Sequence, residues 1–234
     1  MLGNEGTIRG FYPAGLGFVG ARRVAFTDAS ALAGWGRPIK RVVDVVLGAL
    51  ILLVLSVLML PIAAWIRLDS PGPVLFRQRR TGLYGTEFQV LKFRTMYREH
   101  SEPVRCRQAT RHDPRVTRAG ALLRRFSLDE LPQLLNVLRG DMSLVGPRPH
   151  APGTCAAGRP FEQVVAGYGA RHRVRPGMTG LAQVRGWRGE TDTEDKIHGR
   201  VQSDLEYINT WSIWLDFGIL VRTLPTLLRA RDVY

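Results

Sequence analysis

The sequence predicts a monotopic membrane protein, mainly α with a small β-hairpin: an N-terminal re-entrant membrane helix, a compact cytoplasmic domain and interfacial amphipathic helices. Three observations carry this. Residues 45–66 contain no charge and form an apolar run of 22 residues, enough to cross a hydrocarbon core as a helix. Basic residues flank that run on both sides. The rest of the chain has short segments of helical periodicity and only one pair of neighbouring strand-like runs.

A length of 234 residues allows one sizeable domain, and 45% hydrophobic content suits a folded rather than a disordered chain. Lys+Arg 33 against Asp+Glu 20 leaves +13, which calls for an anionic partner: nucleic acid, a phosphorylated metabolite or an anionic membrane surface. Cys106 and Cys155 have neither C-x-x-C nor Cys/His ligand spacing, which argues against a disulfide scaffold and a structural zinc site and fits a reducing setting.

Residues 1–37, rich in Gly and Ala, read as a flexible tail, residues 38–70 as the re-entrant membrane helix and residues 71–234 as the soluble domain. The apolar run begins too far into the chain to be a secretory signal. Arg37, Lys40 and Arg41 precede it and Arg67, Arg77, Arg79 and Arg80 follow, so the positive-inside rule draws both ends to the cytoplasm. Ser56 and Pro61 lie within the run and mark the expected membrane bend, because proline removes a helix hydrogen bond and serine can satisfy a freed carbonyl. An ordinary single span is the alternative.

After a turn at Pro71 and Pro73, Val74, Leu75 and Phe76 pair with residues 87–91 in the expected hairpin, and Lys92 and Arg94 alternate with Phe93 so that both cations share one face if the strand continues. Residues 99–113 read as a loop, followed by a short helix carrying Arg118, Arg124 and Arg125. The stretch SLDELPQLLNVLRG then sets Asp129 and Glu130 before Leu131, Leu134, Leu135 and Leu138 at helical spacing, with Gly140 as C-cap. Ser127 and Glu130 fit a capping box, although an N-cap at Asp129 would place Pro132 more comfortably at the third helical position. Either way the pair reads as a cap or as chemistry. Pro147 and Pro149 stiffen the backbone around Arg148, which suits a guanidinium presented to a phosphate or carboxylate. Residues 151–169 read as a variable connection, and arginines then crowd among glycines up to Arg188. In residues 211–234, Trp211, Trp214, Phe217, Leu220 and Leu224 with Arg222, Arg229 and Arg231 form an interfacial amphipathic pattern, which a core helix with a basic edge would also satisfy.

The segments KRVVDVV, LDSPGPVLFRQRRTG, FQVLKFRTM, SLDELPQLLNVLRGDMSLVGPRP, VRPGMTGLAQVRGWRGETDT and DLEYINTWSIWLDFGIL resemble, in order and spacing, the bacterial sugar transferases known as monotopic polyprenyl-phosphate phosphoglycosyl transferases. The resemblance covers about residues 38–230. It implies a catalytic domain on the cytoplasmic face of the bacterial inner membrane that transfers a sugar 1-phosphate from a UDP-sugar to undecaprenyl phosphate, releasing UMP, as the first membrane step of polysaccharide assembly. It further implies that Asp129 is the nucleophile that forms an aspartyl phosphosugar, that Glu130 is its dyad partner, and that both lie at a Mg²⁺ site. An N-terminal helix position would lower the Asp129 pKa. Phosphate contacts are implied for Lys92, Arg124 and Arg148, with Arg94 and Arg175 as further candidates. Gln183, Gly186, Arg188 and Glu190 fall in the substrate or nucleotide region, and GWRGETDT looks like the segment of glucose 1-phosphate enzymes, with galactose as the competitor. The chain departs from the pattern where Ser56 is followed by Val57 instead of proline. The partners implied are the UDP-sugar, undecaprenyl phosphate and an anionic inner leaflet, with a homodimer left open. A catalytically silent assembly partner is the second reading. Nucleic acid is not an expected partner, since no helix-turn-helix, RRM or zinc-finger signature accompanies the charge.

Overall fold

The computed structural model describes residues 15–19, 22–26, 35–97 and 113–228. The first element is an antiparallel pair, β1 (Gly15–Val19) with β2 (Arg22–Phe26). Both strands fall within the segment 1–37.

Helix α1 (Gly36–Asp69) runs unbroken through Ser56 and Pro61 for 34 residues, about 51 Å at 1.5 Å per residue. The Ser56 hydroxyl donates to the Leu53 carbonyl at 2.7 Å. No interruption marks the expected bend, because a proline in a helix removes one hydrogen bond without obliging the helix to end. The helix is long and apolar enough to cross a membrane. Val42, Val46, Leu53, Val57, Leu60 and Leu68 are exposed, while Lys40, Asp44 and Gly48, spaced four apart, face the protein. A Cβ at Gly48 would meet Val137 at 3.4 Å, an ordinary contact.

Strands β3 (Leu75–Thr81) and β4 (Glu87–Phe93) form the expected hairpin, longer than the apolar runs alone suggested, with Phe76 opposite Lys92. Helix α2 (Arg118–Arg125) is capped by Thr117. A 3₁₀ turn, Leu128–Glu130, leads into α3 (Gln133–Arg139), which ends at Gly140 with φ 95° as its C-cap, as the sequence predicts. The capping box does not form: Ser127 adopts a left-handed φ of 55° and makes no cap hydrogen bond. Strand β5 (Ser143–Val145) pairs in parallel with a strand from far along the chain. Residues 151–169, read as a variable connection, contain β6 (Cys155–Ala156), β7 (Arg159–Pro160) and α4 (Phe161–Val164), and Phe161, Val165 and Tyr168 enter the core. Cys155 is disulfide-bonded, a single cross-link and not a scaffold. Then come β8 (Gly177–Thr179), the partner of β5, α5 (Leu181–Val184), α6 (Glu194–Thr210) and α7 (Ile213–Leu228).

The main core lies between α3, β5, α4 and α6, with Val137, Met142, Phe161, Ile197, Val201 and Ile219 fully enclosed. A smaller cluster, Ile62, Ile66, Phe93 and Leu123, seats the end of α1 on β4 and α2. On α7, Ile219 is buried while Trp214 (80% exposed), Val221 and Leu224 face outward. Arg222 is exposed beside them, and Arg229 and Arg231 lie outside the described residues.

Candidate active site

The site is assembled where β4, α2, the 3₁₀ turn and the loop after β5 meet. Lys92 projects from β4 and its Nζ donates to Glu130 Oε1 at 2.8 Å. The strand ends at Phe93, so the alternation that would have kept Arg94 on the same face stops there. Arg94 turns away and donates to the carbonyls of Ser70 (2.6 Å) and Pro71 (2.7 Å), satisfying the end of α1. It anchors the end of α1 and does not reach the carboxylates. Thr95, next in line, accepts from Arg124 Nε at 2.9 Å. Both Nη groups of Arg124 remain without a partner among the described residues, within electrostatic reach of Asp129 and Glu130.

Asp129 is only 7% exposed, and its carboxylate has no hydrogen bond among the described residues. Burial pushes its pKa up to about 6; Glu130 adds to the rise, while Lys92, Arg124 and Arg148 oppose it. This corrects the expectation of a pKa lowered by a helix terminus, because the residue sits in a turn ahead of α3 and desolvation dominates. Burial also opposes ionisation of Glu130, but Arg148 and Lys92 overcome it and hold that carboxyl well below its usual range. Arg148 grips both Glu130 oxygens, Nη1 to Oε2 at 3.0 Å and Nη2 to Oε1. One carboxylate is thus locked as an anion and its neighbour is left poised.

Arg148 is presented by a backbone fixed at every carbonyl from residue 147 to 150. Pro147 accepts from Gly177 N at 2.9 Å and His150 from Thr81 N at 3.1 Å, Arg148 from Arg171 Nη2 at 2.7 Å, and Pro149 from Arg80 Nη1 at 3.3 Å. Close approach requires glycine here: a Cβ on Gly177 would lie 2.1 Å from Gly146 N. Arg171 is bound in turn to Asp204, with Nη2 to Oδ2 at 2.6 Å and both side chains 1% exposed.

The remaining candidates divide. Arg175 donates to the Gly140 carbonyl at 2.8 Å, at the far end of α3 from the carboxylates. Gln183 is buried, with Nε2 3.4 Å from the Met178 carbonyl and Oε1 without a partner. Arg188 reaches the site: Nη2 donates to Ser127 Oγ at 2.7 Å and Nη1 to the Thr226 carbonyl at 3.2 Å. The segment carrying Gly186 and Glu190 is therefore tied to the turn that holds Asp129 and to α7. The sequence reading missed Arg80, His150, Tyr168, Arg200 and Asp204. His150 lies in the same Pro-bracketed stretch as Arg148, and that proximity was the one available signal.

For a metal ion the fit is partial. Among the described residues no group of three or more His, Cys, Asp or Glu gathers. Glu130 has both oxygens engaged by cations, while Asp129 is open. Mg²⁺ characteristically takes one or two carboxylates and completes its shell with water and substrate phosphate, so the pair suits an ion that arrives with a phosphorylated substrate.

Comparison with known proteins finds relatives over most of the chain. The family model described as bacterial sugar transferase matches residues 35–230. The chain is 52% identical over 193 residues to the UDP-glucose:undecaprenyl-phosphate glucose-1-phosphate transferase of Escherichia coli K12, covering 82% of this chain and 41% of that protein. It is 54% identical over 196 residues to the protein of that name from Caulobacter vibrioides, covering 83% and 72%. It is 49% identical over 186 residues to the exopolysaccharide production protein PSS of Rhizobium leguminosarum, covering 80% and 93%. The chain thus spans about two fifths of the E. coli relative and most of the Rhizobium one.

Proposed function

Because the chain belongs to the bacterial sugar transferase family, we propose that it transfers glucose 1-phosphate from UDP-glucose to undecaprenyl phosphate, releasing UMP, and so begins assembly of an exopolysaccharide. The names of the E. coli and Caulobacter relatives support the donor and acceptor, and that of the Rhizobium relative supports the pathway. The observation that carries the mechanism is Asp129: buried, without a hydrogen-bond partner among the described residues, and surrounded by Lys92, Arg124 and Arg148.

In this reading an Asp129 oxygen attacks the β-phosphorus, the bond from that phosphorus to the bridging oxygen breaks, and its electron pair leaves on UMP. A phosphate oxygen of undecaprenyl phosphate then attacks the same phosphorus, and the bond to Asp129 breaks, freeing the carboxylate. Lys92 and the free Nη groups of Arg124 neutralise the equatorial phosphoryl oxygens. Glu130 is occupied as the anchor for Lys92 and Arg148, which fixes both cations beside the nucleophile. Asp129, and Glu130 if it released one oxygen, would hold Mg²⁺, whose chemistry is to neutralise the pyrophosphate. Helix α1 holds the domain at the inner membrane's cytoplasmic face; entry and exit on one side, which its basic flanks favour, would require the helix to bend within the bilayer near Ser56 and Pro61, and the exposed Trp214 and Val221 of α7 rest at the interface.

Purified protein with Mg²⁺ and undecaprenyl phosphate should release UMP from UDP-glucose in preference to UDP-galactose, and Asp129→Asn should abolish it. Without the acceptor, radiolabelled sugar should remain on the wild-type protein. Turnover that survives in Asp129→Asn would overturn the mechanism.

A further inference from the structure

Ser127, at the start of the turn that holds Asp129, has φ 55° and ψ 24°, a backbone conformation that favours glycine. Its N–H donates to the Arg124 carbonyl at the end of α2, at 3.0 Å, and its own carbonyl accepts from Glu130 N at 3.2 Å, the bond that closes the turn. A serine stays left-handed only where its surroundings hold it there. The Ser127 hydroxyl makes no cap hydrogen bond and instead accepts from Arg188 Nη2 at 2.7 Å.

Arg188 is itself fixed at both ends. On one side of it Trp187 lies on Gly199 of α6, where a Cβ would come within 2.5 Å of the indole ring; on the other the Gly189 carbonyl accepts from Arg200 of the same helix at 3.2 Å. Its guanidinium also donates from Nη1 to the Thr226 carbonyl at 3.2 Å, among the last four carbonyls of α7, which have no partner within the helix. Helix α7 is a firm footing there, because Ile219 is buried and Thr223 Oγ1 lies 2.8 Å from Thr179 Oγ1 of β8.

We propose that Arg188 is the positioning residue of this turn: it braces Ser127 against α6 and α7 and so fixes where Asp129 stands, without itself contacting the sugar nucleotide. The assignment rests on the functional reading above, in which an Asp129 oxygen attacks phosphorus, a step that tolerates little error in the placing of the attacking atom. Lys92 and Arg148 fasten the far end of the turn through Glu130. The Asp129 carboxylate has no hydrogen bond of its own among the described residues, so its place depends on the backbone, and Arg188 secures the near end of that backbone two residues away.

The test compares detergent-solubilised wild type, Arg188→Met, Ser127→Gly and the double variant by UMP release, thermal unfolding, and hydrogen exchange in peptides covering residues 127–131 and 194–210. Each single replacement should lower kcat at least tenfold without raising KM for UDP-glucose, and the double variant should be no slower than the slower single, because both remove the same bond. Ser127→Gly should unfold at the same temperature as wild type or higher, since glycine suits the left-handed φ. The turn peptide should exchange faster in every variant while the α6 peptide keeps its wild-type rate. A KM raised tenfold with kcat kept would make Arg188 a donor contact and overturn the assignment, as would losses that multiply in the double variant or a turn that exchanges as in wild type. Should Arg188→Met fail to fold, Ser127→Gly decides, since it removes the bond and leaves the arginine on α7. Faster exchange of the turn in variants of a protein that turns over no UDP-sugar would sustain the brace and remove the reading it rests on.

Discussion

Arg171 Nη2 donates to the carbonyl oxygen of Arg148 at 2.7 Å, so the main chain that presents one guanidinium to Glu130 is itself held by another. Arg171 is in turn anchored by Asp204 inside the core. Asp204→Ala should cost about 3–5 kcal/mol, because it leaves Arg171 buried and unpaired. The double replacement Arg171→Met with Asp204→Leu should recover much of that stability while UMP release stays at least tenfold low, since nothing then holds the Arg148 carbonyl. Thermal unfolding and turnover measured on the same preparations separate the two effects; recovery of both together would show that the pair serves stability alone.

Asp129 sets the pH dependence. Its folded pKa of about 6 lies above the ordinary 3.8, so its carboxyl is protonated in acid, and on the proposed mechanism kcat/KM should rise with pH through about 6. Lys92 is the foremost charge holding that value down. Lys92→Met should therefore lower the rate and also move the acid limb to higher pH, and an unmoved limb would count against Asp129 as the titrating group. The same shift acts on stability with the opposite sense. A carboxyl with a raised folded pKa binds more protons folded than unfolded between pH 4 and 6, so stability falls as pH rises through that window, by up to about 3 kcal/mol. Asp129→Asn lacks that loss and should unfold at a higher temperature than wild type at pH 8, with the gap closing near pH 4.

The hairpin, α2, the Gly140 cap and the approximate limits of α1 were legible in the sequence because each follows from local pattern: alternation, helical spacing, or a glycine where φ is positive. The carboxylate pair was legible through motif resemblance, but its electrostatics were not. Whether Asp129 is raised by burial or lowered by a helix terminus depends on how deeply the turn is covered. Arg94 and Lys92 look equivalent two residues apart, and only the end of β4 at Phe93 separates a helix anchor from a site cation. Arg171, Arg175 and Arg185 likewise crowd one short stretch; the fold sends the first into the core, the second to the end of α3 and the third to an exposed pair with Glu206. These fates are decided by contacts with α6 and α3, which no local window contains.

Lys40 of α1 and Asp216 of α7 form a buried pair at 2.6 Å, and Tyr207 and Trp211 also donate to that carboxylate. One turn on, Asp44 accepts from Ser143 Oγ at 2.6 Å and Leu144 N at 3.0 Å, pinning α1 to the strand that leads to Arg148. Lys40→Met should lower stability by about 3–5 kcal/mol by stranding a buried carboxylate. Arg79→Met, which removes an exposed partner 4.0 Å from Glu87, should change it by less than about 1 kcal/mol. Equal unfolding temperatures for the two variants would show that the buried pair does not fasten α1.

Gly120 decides where Arg124 stands. A Cβ at this position would lie 2.1 Å from the Thr95 carbonyl oxygen, a backbone atom that cannot rotate away. The same carbonyl accepts from Thr117 N at 3.0 Å, and the Thr95 hydroxyl accepts from Arg124 Nε. Gly120→Ala must therefore push α2 off the end of β4, despite the higher helix propensity of alanine, and should cost about 3 kcal/mol. It should also displace Arg124 from Asp129 and reduce UMP release at least as far as Arg124→Gln does. Arg124→Gln should lower the rate with little loss of stability, since among the described residues that side chain makes one hydrogen bond. If Gly120→Ala kept both stability and rate, the close contact between α2 and Thr95 would not be what positions the arginine.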